Sequence, residues 1–295
     1  MKKLLLAFTS TLSLAIAVSG QVYVNELLFN PVGTDGPNEY FELRGTAGLS
    51  LSGYYFLGIE GDIASNPGDV QNIFDLGAFS LGANGFLVGF QKGTPYSGVD
   101  AGASSFVNAG TGAGWGSGAS SDIGHSADSS ATDVENASAT YVLVNIGGGA
   151  APDLSLDLDT DDNGVIELPA GWSILDSIGV TDAATDVSYG AITFRANGMG
   201  TATGTIIDLA YGTGSYYLGR KGDSTGSTSE DWVEASVSGT APGFTFHATD
   251  VTDGSFAGRP LADMGLGSAN IVPEPSTYVL GLLGLATVFA LRRRK

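Results

Sequence analysis

Eleven short runs, separated by stretches that carry Gly, Asn, Asp, Ser and Pro, constrain this chain more than any other feature. They fall at 22–29, 39–43, 53–59, 86–90, 141–146, 172–180, 191–195, 205–210, 215–220, 232–237 and 244–247. Val, Ile, Tyr, Phe and Thr dominate them, residues that suit a pleated, half-buried surface, and turn residues separate them. Between the two ends of the chain no stretch keeps a 3.6-residue apolar period over ten residues, so a helical architecture is excluded. Many short strands with turns between them predict an all-β sandwich or barrel. A solenoid would need a fixed repeat, and the sequence holds none. Gly fills 45 of 295 positions, about twice the usual ~7% share, as frequent turns require.

The two ends differ from this body. Met1-Lys2-Lys3 precedes an apolar run from Leu4 to Val18 and then small residues, the pattern of a signal peptide over 1–20 cut by signal peptidase. The mature chain is therefore expected to be exported. At the other end Val272-Pro273-Glu274-Pro275-Ser276 leads into an apolar segment over 277–291 and then Arg292-Arg293-Arg294-Lys295. The prolines impose an extended approach. The apolar segment falls short of the roughly 20 residues of a comfortable bilayer span, and the terminal cations hold that end on the cytoplasmic side. These three parts in this order resemble the PEP-CTERM sorting signal of Gram-negative bacteria. The resemblance implies recognition by an exosortase-type membrane protease, with removal of the tail near Pro273–Pro275. Pro273, Glu274, Pro275, Arg292, Arg293 and Arg294 carry it, and the membrane is contacted only through this C-terminal hydrophobic sorting helix before processing.

Charge excludes several function classes. Residues 22–272 hold six cations against 30 acids, a net charge of −24. Nucleic-acid and anionic-membrane binding rest on clustered Lys and Arg, so neither is expected. The chain has no Cys, which removes disulfide scaffolds, thiol nucleophiles and Cys-ligated metals.

The body opens with Val22-Tyr23-Val24-Asn25-Glu26-Leu27, Asn30-Pro31, Glu39-Tyr40-Phe41-Glu42-Leu43, then Leu49-Ser50-Leu51-Ser52-Gly53-Tyr54. It closes with Tyr217-Leu218-Gly219-Arg220-Lys221, Glu230-Asp231-Trp232 and Thr240-Ala241-Pro242-Gly243. This order is similar to the lamin-tail-like domain family. The resemblance implies an immunoglobulin-like β-sandwich over 21–261, and a binding or structural module without catalytic residues. Residues 101–140 depart from it, with Gly, Ala and Ser at 25 of 40 positions, and are expected to form a long Gly/Ser/Ala-rich flexible insertion. Residues 262–271 are small and weakly apolar and read as a linker to the sorting signal at 272–295.

The sharpest chemical signal is Asp157-Leu-Asp159-Thr-Asp161-Asp162-Asn163-Gly164-Val165-Ile-Glu167. Ca²⁺ takes six to eight oxygens, and a tight loop supplies them from alternate residues around a glycine turn. A frame starting at Asp159 places Asp161, Asn163, the Val165 carbonyl and Glu167 as ligands and Gly164 at the turn. Ala170 stands where a bidentate Glu would close an EF-hand loop, so closure would fall to Asp157 or Asp176. The expected cofactor is a structural Ca²⁺ ion.

No nucleophile–base arrangement emerges. Only His125 and His247 could serve as bases, one in the insertion and one ending a strand-like run, and no G-x-S-x-G, H-E-x-x-H or P-loop occurs. Trp172 and Trp232 sit in strand patterns as core residues. The expectation is therefore a non-enzymatic structural or adhesive protein of the cell surface or extracellular matrix. A carbohydrate-binding module for exopolysaccharide, built on Tyr54 or Tyr55 with Trp115, is the alternative. A Ca²⁺-dependent extracellular hydrolase using carboxylate pairs is the third reading.

Overall fold

The computed structural model describes residues 21–108, 115, 122–123, 133–134, 136–211 and 217–273. The signal peptide, His125 and the sorting helix lie outside the described residues. Sixteen strands follow in chain order: β1 Val22–Leu28, β2 Tyr40–Gly45, β3 Tyr54–Glu60, β4 Val70–Asp75, β5 Phe86–Phe90, β6 Ser104–Val107, β7 Asp122–Ile123 and β8 Ala139–Asn145. They continue with β9 Ser173–Thr181, β10 Val187–Ser188, β11 Ile192–Ala196, β12 Thr201–Ala202, β13 Thr205–Leu209, β14 Tyr217–Arg220, β15 Trp232–Ser238 and β16 Thr245–Val251. Among the described residues the helical content is two short 3-10 turns, at Ile63–Ser65 and Leu261–Met264. The all-β expectation holds.

Two seven-stranded sheets account for fourteen of these strands. The first runs β16-β15-β14-β1-β2-β5-β6 and the second β13-β11-β9-β8-β3-β4-β7. They face each other across one apolar core to which both contribute: Val24, Phe41 and Leu218 from the first, Phe56, Tyr141 and Phe194 from the second. Phe41 and Phe56 meet across it with ring centroids 4.8 Å apart, and Phe29 meets Tyr141 at 5.1 Å.

The strand order differs from an immunoglobulin-like sandwich, whose sheets are antiparallel. Here β5 pairs β6 in parallel, and β9, β11 and β13 form a parallel ladder. Ile178 pairs Ile192 and Ile192 pairs Thr205. The chain thus winds back on itself after 14 and then 13 residues, as a short β-solenoid does. Two turns leave too little repetition for the sequence to show a period.

A bulge in β1 decides which side chains enter the core. Side chains alternate between the faces of a strand, so Val22, Val24 and Glu26 would share one face. The ladder between β1 and β2 shifts register between Val24 and Glu26, and the extra residue, Asn25, reverses the alternation. Leu27 and Phe29 then join the inter-sheet core, while Glu26 and Leu28 turn to the outer face of the first sheet.

Both outer faces are covered. Over the first sheet, Phe244, Phe256, Leu261 and Met264 build a second core on Leu28, Tyr40, Val88, Tyr217 and Phe246. Over the second, Leu158 and Trp172 pack on Leu57, Ile59, Val142 and Val144. Two regional expectations change accordingly. Residues 262–271, expected as a linker, are docked: Met264 and Asn270 are buried, and Asn84 donates to the Gly267 carbonyl at 2.8 Å. Their small residues permit close packing, since a Cβ on Gly267 would stand 2.7 Å from the Ala103 Cβ. Within 101–140, β6 extends the first sheet and Trp115 is buried, stacked on Phe41 at 5.7 Å. Glu39 holds that part of the insertion, accepting from Trp115 Nε1 at 2.9 Å and from the Val134 amide at 3.0 Å.

Candidate functional site

The acidic loop is a cover for the second sheet. Leu156 and Leu158 alternate with Asp157 and Asp159, so the apolar pair turns inward beside Ile166. The loop is pinned to the chain before β4 by the Val70 amide donating to Leu156 and the Leu158 amide donating to Gly68, both at 2.9 Å. Asp159 is fully buried and already engaged. It accepts from the amides of Asn163 (2.9 Å) and Gly164 (2.8 Å) and from the Tyr189 hydroxyl at 2.7 Å. Burial and this carboxylate together push the Tyr189 phenol well up.

The remaining expected ligands do not join it. Asp161, Asn163, Val165 and Glu167 are exposed. Glu167 accepts from the Thr160 hydroxyl, and Asp157 accepts from the Asp159 amide at 2.8 Å. Asp176 lies elsewhere, paired with Arg220. Among the described residues no three acidic, His or Cys side chains are grouped as a metal shell. As placed, the donor set does not fit a Ca²⁺ ion. Asp159 instead closes the loop as a side-chain acceptor for the Asn163 and Gly164 amides, four and five residues on, with the Tyr189 hydroxyl as its third donor.

The aromatic platform expected for glycans also separates. Trp115 and Trp232 are buried and Trp172 nearly so, with Trp172 Nε1 donating to the Ala150 carbonyl at 2.9 Å. Trp115 therefore cannot stack on a sugar beside Tyr54 or Tyr55. Tyr54 instead lines an open groove of about 400 Å³ with Tyr23, Asn145 and Ser173. His247, partly exposed, takes the amides of Thr249 and Asp250 on Nδ1.

What the sequence reading missed is a row of buried carboxyls on the first sheet. Glu26 and Glu42 stand directly opposite each other on β1 and β2, and both are buried. Glu26 accepts from the Tyr40 hydroxyl, and its Oε2 has no partner. The Tyr217 hydroxyl, also buried, is set against the same carboxyl. Desolvation raises Glu26 to about 7, against the lowering effect of the phenols. Glu42 is pushed well above the carboxylate range by burial and by Glu26. Glu39 rises for the same first reason, and half-buried Asp35 rises to about 6 through burial and then the neighbouring Asp133 side chain. The early signal was the spacing Glu39-x-x-Glu42 at the start of β2.

Glu42 and Asn25 also clamp the end of the body. Asn25 Nδ2 donates to Glu42 at 2.6 Å, and the Gly267 amide donates to the same carboxyl. Asn270 Nδ2 donates to the Arg220 carbonyl at 2.8 Å. The chain is thus held on β1, β2 and β14 up to Asn270, and Val272 emerges exposed. The sequence beyond this point decides the destination. Residues 272–295 match the PEP-CTERM protein-sorting motif.

The PEP-CTERM motif indicates export and a C-terminal sorting signal, and such signals are processed by exosortase, a membrane protease. Pro273 is its last described residue. Glu274, Pro275, Arg292, Arg293 and Arg294 lie outside the described residues, and among the described residues no helix is long and apolar enough to cross a membrane. No curated protein and no solved structure matches the chain.

Proposed function

We propose that this is a non-enzymatic structural or adhesive protein, displayed on the bacterial surface or in the extracellular matrix after exosortase processing. The observation that carries it is the PEP-CTERM motif starting directly after a segment clamped to a fully covered all-β body. Signal peptidase and the exosortase-type protease are its processing partners.

The test is to produce the chain with and without 272–295 in an exosortase-bearing host, then follow surface location and cell–cell aggregation. The account expects the complete chain on the surface and promoting aggregation, and the truncated chain free in the medium without effect. Equal surface location of both would remove the sorting step, and unchanged aggregation would remove the adhesive role.

A carbohydrate-binding role for exopolysaccharide is the second reading, favoured by the groove at Tyr23 and Tyr54. Two rings with an amide and a hydroxyl suit sugar faces and edges. A glycan panel on the surface form and its Tyr54→Ala variant separates this reading from plain scaffolding.

Calcium could stiffen the acidic loop only after a rearrangement that brings in the exposed Asp161 and Glu167. Because Asp159 already closes the loop, Asp159→Ala is expected to cost about 1–3 kcal/mol, leaving buried donors unpaired, and equally in EDTA and in millimolar CaCl₂. A thermal midpoint that rises with CaCl₂ and loses the rise in Asp161→Ala/Glu167→Ala would restore calcium as a cofactor.

A further inference from the structure

Strand β13 forms one edge of the second sheet. It pairs β11 in parallel over all five of its residues without a bulge. The Thr205 amide donates to the Ala191 carbonyl at 2.9 Å, which fixes the direction of every backbone group that follows. Thr205, Ile207 and Leu209 bond inward to β11, so the amides and carbonyls of Ile206 and Asp208 point outward. Among the described residues no backbone group pairs with these four.

We propose that β13 pairs antiparallel with β13 of a second copy of this chain, about a twofold axis at Ile207. The proposal rests on the adhesive reading above and names its partner.

The backbone fits this partner. Antiparallel ladders alternate residue pairs that exchange two hydrogen bonds with pairs that exchange none. With Ile207 opposite the same residue of the second copy, Ile206 faces Asp208 on both sides of the axis. Every outward donor and acceptor then meets its complement. The strand also lacks the usual guards against edge pairing, having no Pro, Lys or bulge. The edge strand across the cleft, β16, is guarded: the Phe246 amide donates to the Arg259 carbonyl at 2.9 Å, and the Gly258 amide donates to Phe246 at 3.1 Å.

The side chains fit it as well. Ile206 is 40% exposed. Ile207 and Leu209 line an open cleft of about 280 Å³ with Phe194, Tyr211 and Val251, an apolar margin that a second copy would cover. Like charges set opposite each other destabilise a strand pair. The one charge on β13, Asp208, is matched by Arg195 Nη2 at 2.6 Å, so two acidic bodies meet at a neutral strip. A five-residue edge buries little area, and association in solution is therefore weak. Display of many copies on facing surfaces multiplies it.

Sedimentation of the surface form from an exosortase-bearing host tests the proposal, at rising concentration in low and in high NaCl. The expected result is a monomer–dimer equilibrium that tightens with salt, because screening relieves repulsion between the bodies. Ile206→Pro removes an outward donor and spares every bond to β11. It should weaken dimerisation about tenfold or more with the thermal midpoint unchanged. The chain has no Cys, so single cysteines report the register. Ile207→Cys should join two copies by a disulfide, since partners that exchange no hydrogen bond stand closest. Ile206→Cys, more exposed but facing Asp208, should not. A monomer at all concentrations, no disulfide in Ile207→Cys, equal linking at both positions, or a dimer that survives Ile206→Pro would each overturn the proposal. Cell aggregation that persists in Ile206→Pro would keep adhesion and remove this contact as its basis. A dimer in this register without cell aggregation would uphold the contact and remove adhesion.

Discussion

Acidifying a solution of this protein from pH 8 to pH 5 is expected to stabilise it, raising the thermal midpoint by roughly 5–10 °C. The reason is the row of carboxyls held away from water. Glu26 titrates near 7 in the folded chain against 4.5 unfolded. The folded state therefore binds more protons across that window. Stability is fully present below about pH 4.5 and is lost as pH rises through 7. A shift of this size amounts to about 3 kcal/mol, and in a chain of this length each kcal/mol moves the midpoint by about 2–4 °C. Glu42 and Glu39 act in the same direction, and Asp35, raised to about 6, adds to it. The trend reverses near pH 4 and below, where Asp231 and Asp253, held below the usual range by hydroxyl donors and Lys221, take up protons. Calorimetric midpoints from pH 4 to 9 check this, with Glu26→Gln expected to flatten the slope. A midpoint that rises steadily to pH 8 would contradict the buried-carboxyl account.

The second large effect is expected at Arg220. This side chain is fully buried on β14 and reaches across to β9, where it pairs with Asp176 at 2.7 Å. It also donates to the carbonyls of Val24 (2.8 Å) and Gly226 (2.7 Å), and its guanidinium lies 4.3 Å from the centre of the Trp232 ring. Asp176 accepts from the Val24 amide at 2.9 Å as well. The pair therefore ties the two sheets at β1, β9 and β14. Arg220→Met leaves Asp176 buried without its partner and is expected to cost about 3–5 kcal/mol. Arg220→Lys keeps the charge but loses the fork, and should recover only part. Urea unfolding of Arg220→Met, Asp176→Leu and the double variant measures the coupling. The double variant should be more stable than Arg220→Met alone. A loss under 1 kcal/mol for Arg220→Met would mean that the sheets are joined by apolar packing alone.

The strands legible in the sequence are those whose composition matches their burial. The run at 86–90 coincides with β5, and 22–29 and 232–237 overlap β1 and β15 closely. The missed strand β4 reads Val-Gln-Asn-Ile-Phe-Asp. Its polar centre hides it, because Gln71 is buried against Glu60 at 2.7 Å, a pairing that no local pattern reveals. Strand β6 was lost in the Gly/Ser/Ala composition around it. At 262–271 the same small residues that suggest flexibility allow close approach to the body. The acidic loop was legible as a tight turn, but its closure was not, since the Tyr189 hydroxyl that completes Asp159 comes from 30 residues away. The parity change at Asn25 could not be read locally either, because a bulge is defined by its partner strand.

The sorting motif was the most legible feature, because its information is linear: a Pro-Glu-Pro step, an apolar run and a cationic end. The fold adds that the chain is held to the body up to Asn270, two residues before the motif begins. The central claim is therefore that the protein is exported and that its tail is removed at a folded boundary. The intact mass of the surface form from an exosortase-bearing host tests it most directly. The account predicts a mass lacking residues 1–20 and ending close to Pro273–Pro275, with Asn270 retained. A mass that still includes the apolar segment and Arg292–Arg294 through Lys295 would contradict it.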